Sequence, residues 1–593
     1  MSTQAPVSPA TAATGPSLLL DQSVAKQLLF GTVLEENLFP YPSISEHDRE
    51  ALAMIVESID RFLEDKEADF ARWDREARQP DDFVQALRDL GLFGLIIPEE
   101  FGGLGLSNAA YTRVLAQTSG HDSSVSLTIG AHSSIGMKGL LLFGTGEQKA
   151  RYLPRLATGE MIAAFCLTEP GAGSDAAAIR TNARRNADGN WVLNGEKLWI
   201  TNGGIADFFT VFARTDGPEG KITAFIVEAG WQGVSRGQHE DKMGIRASST
   251  TTVAFSDVRV PPENVLGEVG KGFKVAMGIL NNGRTGLGGG AVGGMKALIR
   301  RTVAQAQGRH QFERPIAGFG LVREKIAQMT VDCFAAESAV WMVAHYIDSG
   351  CTDYSTEAAI TKVFASEAMQ RSAYEALQIA GGNGYMRDMP YERYTRDARI
   401  LPIFEGANEI LRLFIALSAL KDVGTSLSEL RSAMGSLFND PIKGFGVLSG
   451  YAGRRFNRAT GLGKEGVDAP LAPPLRPLVA VYENYARAAA RVAEGSLRRH
   501  GKGIFERQYV QKRIADLIID LFVGLCVISR ADSLLRQQPE TAQQVVEIAT
   551  IFTHQARRRM VRNVRGAAHN EDQAIDSLAG AIIERGSYPW DVL

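Results

Sequence analysis

The sequence predicts a mainly α-helical protein with a β domain set between helical regions. Three observations predict it. Apolar residues recur at three- and four-residue spacing over residues 45–160, again from 271 to about 421, and again from 476 to 593. Between the first two regions, from 162 to 268, short runs rich in β-branched and aromatic residues are bounded by turn residues. Helices and strands do not alternate along the chain, as a doubly wound parallel sheet would require.

The 593 residues exceed what one hydrophobic core supports and suggest about three or four domains. Composition is that of a globular protein, 45% hydrophobic and 22% charged. The net charge of -3 supplies no global attraction to nucleic acid, and no nucleic-acid partner is expected. The four cysteines include no CxxC pair, and the nine histidines form no HExxH or close cluster. Neither a metal site nor a disulfide framework is therefore expected.

Residues 1–40 read as a disordered tail. The first twenty, MSTQAPVSPATAATGPSLLL, contain no Lys or Arg, unlike a transit peptide or a secretory signal. A bacterial cytoplasmic location, peripheral at the inner membrane, is the expectation. Residues 41–161 form an N-terminal helical domain, as in DDFVQALRDLGLFGLIIP, punctuated by Gly91 and Pro98. Residues 162–268 form a small antiparallel β domain, with a hairpin expected at Asn194-Gly195 in WVLNGEKLWITNG. Residues 269–421 form a helical bundle in which STEAAITKVFASEAMQRSAYEALQIA stops at Gly381-Gly382. Residues 422–475 read as a linker rich in Gly, Pro and basic residues, and 476–593 as a C-terminal helical domain. Ile518 to Val527 is the most apolar stretch, but Asp520 interrupts it, so it reads as a buried helix.

Three segments look chemical. AAFCLTEPGAGSDAAAIRT contains a formal GxGxxA match at Gly171–Ala176, and GLGGGAVGG a second at Gly288–Gly293. Neither has the strand before and helix after that a dinucleotide site needs. The second set of glycines reads as close helix packing. In LWITNG, Trp199 and Thr201 share one face of a strand. They could pack on a core, or an indole beside a hydroxyl could receive a flat heteroaromatic ring. In RILPIFEGANEILRLFIALSAL, Glu405 precedes an amphipathic helix. By itself it reads either as an acid favoured by the helix N-terminus or as a general base.

Taken together and in order, FGLIIPEEFGGLGL, AAFCLTEPGAGSD, LWITNGG, DVRVPPENVLGEVGKGFKVAM, ILNNGR, ALQIAGGNGY and IFEGANEILR resemble the acyl-CoA dehydrogenase family. The long C-terminal helical region, FPYPS and GAHSSIG are similar to its very-long-chain branch. The resemblance implies an N-terminal helical domain, a β domain and a helical bundle around FAD. It implies Glu405 as catalytic base, with Ser174, Asn281, Arg284 and Gly406 at the substrate. Phe165, Leu167, Thr168, Trp199 and Thr201 would meet the flavin ring, and Ser174 would lie at the cofactor and the CoA portion. Arg309, Gln311, Phe312 and Phe319 would meet the diphosphate and adenine, and Gln378, Gly381 and Gly382 the pyrophosphate.

Ala407 and Asn408 would also touch FAD, Ala407 through its backbone alone, because Ala stands where the family often has Thr. A second departure is Glu313, where the family often has Gly. Some of these contacts come from a neighbouring subunit in the family, which implies a homodimer. The implied reaction is α,β-dehydrogenation of long- or very-long-chain acyl-CoA in fatty acid β-oxidation, with electron-transferring flavoprotein as acceptor. An acyl-CoA oxidase and a flavoprotein scaffold are the alternatives. The basic residues of 441–466 read either as a membrane-surface segment or as a solvated linker.

Overall fold

The computed structural model describes residues 18–217, 220–436 and 467–592. The chain enters through α1 (Val24–Leu28), capped by Ser23, whose Oγ accepts from the Lys26 N–H at 3.2 Å. Ser23 Oγ and the Ala25 N–H both donate to Glu357 Oε1, at 2.6 and 2.9 Å. Val24, Leu28, Leu29, Leu38 and Phe39 are buried in the same core as the helical bundle. The tail expected over 1–40 is thus corrected for residues 18–40. Their apolar side chains find a partner surface more than three hundred residues away, which no local reading of composition reveals.

Seven further helices precede the sheet: α2 (Glu46–Leu63), α3 (Glu67–Glu76), α4 (Asp81–Asp89), α5 (Asn108–His121), α6 (Ser123–Gly130), α7 (Lys138–Phe143) and α8 (Gly146–Ala157). A π-helical turn, Ala131–Gly136, joins α6 to α7. The periodicity does what it predicts: in α4, Phe83, Val84 and Leu87 are buried on one face. A capping box between Thr145 and Gln148 starts α8.

The β domain holds β1 (Ala163–Cys166), β2 (Asn182–Arg185), β3 (Trp191–Thr201), β4 (Phe208–Thr215), β5 (Ile222–Glu228), β6 (Val234–His239), β7 (Thr250–Val260) and β8 (Val265–Leu266). Their order is β6-β7-β3-β2-β4-β5-β8, with β1 also beside β4. Most pairs are antiparallel, but β1 and β2 run parallel to β4, so the sheet is mixed and not antiparallel throughout. The hairpin joins β2 to β3 at residues 186–190, where the Asn186 N–H donates to the Asn190 carbonyl. Asn194-Gly195 lies inside β3, at a register shift. Gly195 has φ +148°, and a Cβ there would sit 2.5 Å from Thr181 Oγ1. Close approach of the segment at Thr181, not a turn, is what this glycine serves.

The bundle is built from α9 (Gly272–Gly308), α10 (Gly320–Asp348), α11 (Ser355–Ala380), α12 (Gly382–Tyr385), α13 (Tyr391–Ala398) and α14 (Asn408–Ser436). Between α9 and α10 lies a small ribbon, β9 (His310–Gln311) and β10 (Arg314–Pro315). A Cβ on Gly289 or Gly293 would fall 2.6 Å from the Thr112 carbonyl or 1.8 Å from the Ala116 carbonyl, both on α5. The second formal fingerprint is therefore a seam where two helices touch. The first lies in the loop between β1 and β2, followed by a single 3-10 turn.

Helix α14 continues past the expected boundary at 421 to Ser436, so the first part of the expected linker is helical. The segment 441–466 lies outside the described residues. The chain closes with α15 (Arg476–His500), α16 (Gln508–Gln537), α17 (Ala542–Gly566) and α18 (Asp572–Arg585). Ile518 to Val527 is buried within α16, and Asp520 is paired with Arg559 at 2.7 Å. Arg412 of α14 donates to Asp516 of α16 at 2.7 Å and ties this domain to the bundle. Among the described residues no helix is long and apolar enough to cross a membrane.

Candidate active site

A cavity of about 680 Å³ opens where the β domain, α5, α6, α9 and the turn before α14 meet. The structure brings ten of the expected residues to its wall: Phe165, Leu167, Thr168, Ser174, Trp199, Thr201, Asn281, Arg284, Glu405 and Gly406.

Glu405 sits on a tight turn, with φ +53° there and +97° at Gly406. Its Oε2 is enclosed and has no hydrogen-bond partner. Burial pushes the carboxyl up to about 7, against the opposing pull of the Arg284 and Lys362 charges. Arg284 does not hold the carboxylate. Its Nη1 donates to Asn281 Oδ1 at 2.8 Å, and its Nε approaches the Glu405 carbonyl at 3.5 Å. Gly283 makes room for the acid: a Cβ there would be 3.3 Å from Glu405 Oε2.

On the opposite wall, β3 bulges between Lys197 and Ile200. Trp199 takes φ +58° and turns its indole outward, 62% exposed. The reading of Trp199 as core packing fails on this point. The Leu198 N–H donates to the Thr168 carbonyl at 2.9 Å, which sets the bulge beside the 165–168 segment. Behind them Lys197 Nζ bonds the Leu167 carbonyl at 3.1 Å and Glu169 Oε1 at 2.7 Å. Glu169 also accepts from the Arg180 and Thr181 N–H groups, at 2.6 and 3.0 Å, so the loop carrying Ser174 is tied at both ends. An exposed indole held out by a strained bulge, with hydroxyls of Thr168 and Thr201 on the same cavity wall, fits a flat heteroaromatic cofactor with polar edges.

The remaining expected residues lie elsewhere. Arg309, Gln311 and Phe312 sit on or beside the exposed β9–β10 ribbon, with Phe312 87% exposed and Phe319 close by. Gln378, Gly381 and Gly382 lie exposed at the end of α11. Neither group lines the cavity of this chain. Asn408 is turned inward: its Nδ2 donates to Ser366 Oγ and Glu367 Oε1, at 3.0 and 3.1 Å, and its Oδ1 accepts from Lys362. Both amide hydrogens are thus committed to the frame. Ala407, half-buried, also stays off the cavity wall.

Lys362 was not singled out by sequence reasoning. The signal was a lone lysine in AAITKVFAS, where every turn of the helix is apolar.

Four family models match the chain in order: "Acyl-CoA dehydrogenase, N-terminal domain" over residues 49–160, the "middle domain" over 164–258, the "C-terminal domain" over 270–420, and "ACAD9/ACADV, C-terminal domain" over 473–588. The chain belongs to the acyl-CoA dehydrogenase family. It is 43% identical to the human mitochondrial very long-chain specific acyl-CoA dehydrogenase, over 96% of this chain and 89% of that protein. It is 37% identical to a probable acyl-CoA dehydrogenase of Bacillus subtilis, over 79% and 78% of the two chains. A Bacillus anthracis acyl-CoA dehydrogenase solved with FAD shares the fold at TM-score 0.78 and 31% identity, covering 98% of this chain and 97% of that one. The match to a Megasphaera elsdenii butyryl-CoA dehydrogenase covers 64% of this chain and 99% of that one, at TM-score 0.61 and 36% identity. The protein is accordingly an FAD-dependent oxidoreductase, an acyl-CoA dehydrogenase with the added C-terminal domain.

Proposed function

We propose that this dehydrogenase oxidises long- or very-long-chain acyl-CoA to the trans-2-enoyl thioester, with Glu405 removing the α proton. One observation carries the assignment of the base. Glu405 alone among the cavity's expected residues combines an enclosed, unpartnered carboxylate oxygen with a proton affinity raised to about 7. A general base works best when its pKa lies near the operating pH. The apolar inner wall, including Leu115, Leu127, Leu287 and Phe414, suits an acyl chain that expels water from around the carboxylate.

The rest of the site follows from the same reading. Ser174, exposed at the rim, meets the CoA portion, while Asn281 and Arg284 brace the turn of the base. Phe165, Leu167, Thr168, Trp199 and Thr201 hold the flavin ring. FAD bound against these residues would supply the hydride acceptor for the β carbon. The α proton of a thioester is weakly acidic, so donors at its carbonyl must stabilise the developing enolate. Arg309, Gln311 and Phe312, exposed here, and Phe319, half-buried beside them, together with Gln378, Gly381 and Gly382, complete the cofactor site across a homodimer. Electron-transferring flavoprotein receives the electrons, and residues 441–466 bring the enzyme to a membrane surface.

The deciding experiment is turnover of Glu405→Gln. The variant should keep FAD and fold while losing about 10²–10⁴-fold in rate. Near-normal turnover would remove Glu405 from the mechanism. Mixing the substrate-reduced enzyme with air separates a dehydrogenase from an oxidase, since only the oxidase reoxidises rapidly without the flavoprotein acceptor. Liposome co-sedimentation with and without residues 441–466 tests the membrane contact, and equal partitioning would dismiss it.

A further inference from the structure

Lys362 is buried in α11 and reaches the turn that carries Glu405. Its Nζ donates to the Gly406 carbonyl and to Asn408 Oδ1, each at 2.8 Å. From α9, Arg284 Nε approaches the Glu405 carbonyl at 3.5 Å. Two buried cations thus face consecutive carbonyls of a turn with φ +53° and +97°. A non-glycine residue holds such a conformation only where its surroundings over-determine it.

Hydrogen bonding alone does not explain a lysine at this position. A neutral amide could serve the Gly406 carbonyl and Asn408 without the cost of burying a charge. The charge has a partner through space. Glu405 is faced by Arg284 from α9, by Lys362 from α11 and by the Tyr111 hydroxyl from α5. Lys362 in turn faces Arg284, Glu367 and Glu409 as well as Glu405. Glu367 is already engaged by both Arg412 amino groups, at 2.7 and 3.0 Å, and Glu409 is exposed. Glu405, half-buried, is the acid facing Lys362 whose Oε2 is enclosed and has no hydrogen bond.

We propose that Lys362 is a positioning residue for the proton-abstracting carboxylate: it locks the Glu405–Gly406 turn and supplies one of the two buried positive charges that favour the ionised acid. This rests on the reading of Glu405 as the base. Burial lowers the Lys362 ammonium to about 8, which leaves it mostly cationic at neutral pH. Removing an opposite charge beside a carboxylate raises the carboxyl pKa.

The test is single-turnover flavin reduction by a long-chain acyl-CoA as a function of pH, in the FAD-loaded enzyme. Lys362→Met should move the acidic limb up by about one pH unit or more, the size of shift that a neighbouring charge produces. The rate at pH 7 should fall about fivefold or more and recover as pH rises, with the Kd for a non-reactive thioether analogue unchanged within twofold. The carbonyl stretch of Glu405, read by infrared difference against Glu405→Gln, should titrate at the same higher pH. Lys362→Arg should restore the limb. If Lys362→Met fails to fold, Lys362→Gln keeps a donor without the charge and should show the same shift. An unmoved limb in either neutral variant overturns the proposal. If Glu405→Gln keeps full activity, the reading of the base fails first. If Glu405→Gln is inactive and the neutral variants keep the wild-type profile, the role of Lys362 alone is refuted.

Discussion

Lys197 and Glu169 form a buried ion pair, Nζ to Oε1 2.7 Å, behind the cavity wall formed by Leu167 and Thr168. Burial disfavours both charges, yet the pairing with Lys197, together with the Thr181 and Arg180 contacts, leaves the Glu169 carboxyl below its usual range. Breaking one side of such a pair strands the other. Lys197→Met should therefore cost about 3–5 kcal/mol. By calorimetry the Tm should fall by roughly 2–4 °C for a chain of this length. Adding Glu169→Gln should recover part of the loss. An unchanged Tm in the single variant would show the pair to be idle.

Gly283 packs against Glu405 from α9. A Cβ at this position would meet Ile135 Cγ2 at 2.8 Å and Glu405 Oε2 at 3.3 Å. The Ile135 methyl is branched at Cβ and cannot swing away cheaply. Gly283→Ala should overpack the site by about 1–3 kcal/mol and displace the carboxylate. Turnover should fall about tenfold or more, because 1.4 kcal/mol in the barrier is a factor of ten. FAD content should stay constant. Wild-type kcat in this variant would show that the carboxylate has slack.

Much of this site was legible because chemistry-bearing residues cluster in contiguous motifs. Thr168, Trp199, Arg284 and Glu405 lie in four short segments that all reach one cavity. What escaped depends on contacts between distant segments. Asn194-Gly195 carries a local turn signal, but the approach of Thr181 decides its conformation. Leu28 and Phe39 look like tail residues until the bundle offers them a surface. Lys362 looks like a misplaced surface residue until the Gly406 carbonyl is seen 2.8 Å away. Asn408 follows the base in sequence, yet its amide faces Ser366 and Glu367.

The raised pKa of Glu405 also has a sign for stability. The folded value of about 7 exceeds the ordinary 4.5, chiefly through burial. Below about 4.5 the acid is protonated in both states and costs nothing as a charge. As pH rises through 7 the folded state must bury a carboxylate, and this contribution to stability is lost. Glu405→Gln should therefore be more stable than the wild type at pH 8, by up to about 3 kcal/mol. The difference should shrink toward zero near pH 4.5. Denaturant unfolding at the two pH values checks it, and a variant less stable at pH 8 would contradict the assignment of burial as the cause. The same ionisation predicts that flavin reduction rises with pH through a midpoint near 7 to a plateau.

Chain length should be set where α5, α6 and α9 line the cavity. Gly290 is on that wall, and a Cβ there would meet Ser119 Oγ and Ser126 Oγ at 3.8 Å and Ser119 Cβ at 3.9 Å, all ordinary contacts. Space therefore exists for a first carbon, unlike at Gly293, where the Ala116 carbonyl is 1.8 Å away. A larger side chain at 290 would project beyond these serines and occupy volume that a long acyl chain needs. Gly290→Leu should keep fold and FAD while kcat/KM for the longest acyl-CoA falls at least tenfold, and that for short chains changes little. Each methylene lost from an apolar pocket is worth about 1–3 kcal/mol in discrimination, so blocking two or three suffices for that effect. A kinetic series across acyl lengths reads it directly. Parallel losses at every length would show instead that Gly290 serves the reacting end of the substrate, and would move the chain-length determinant to another wall.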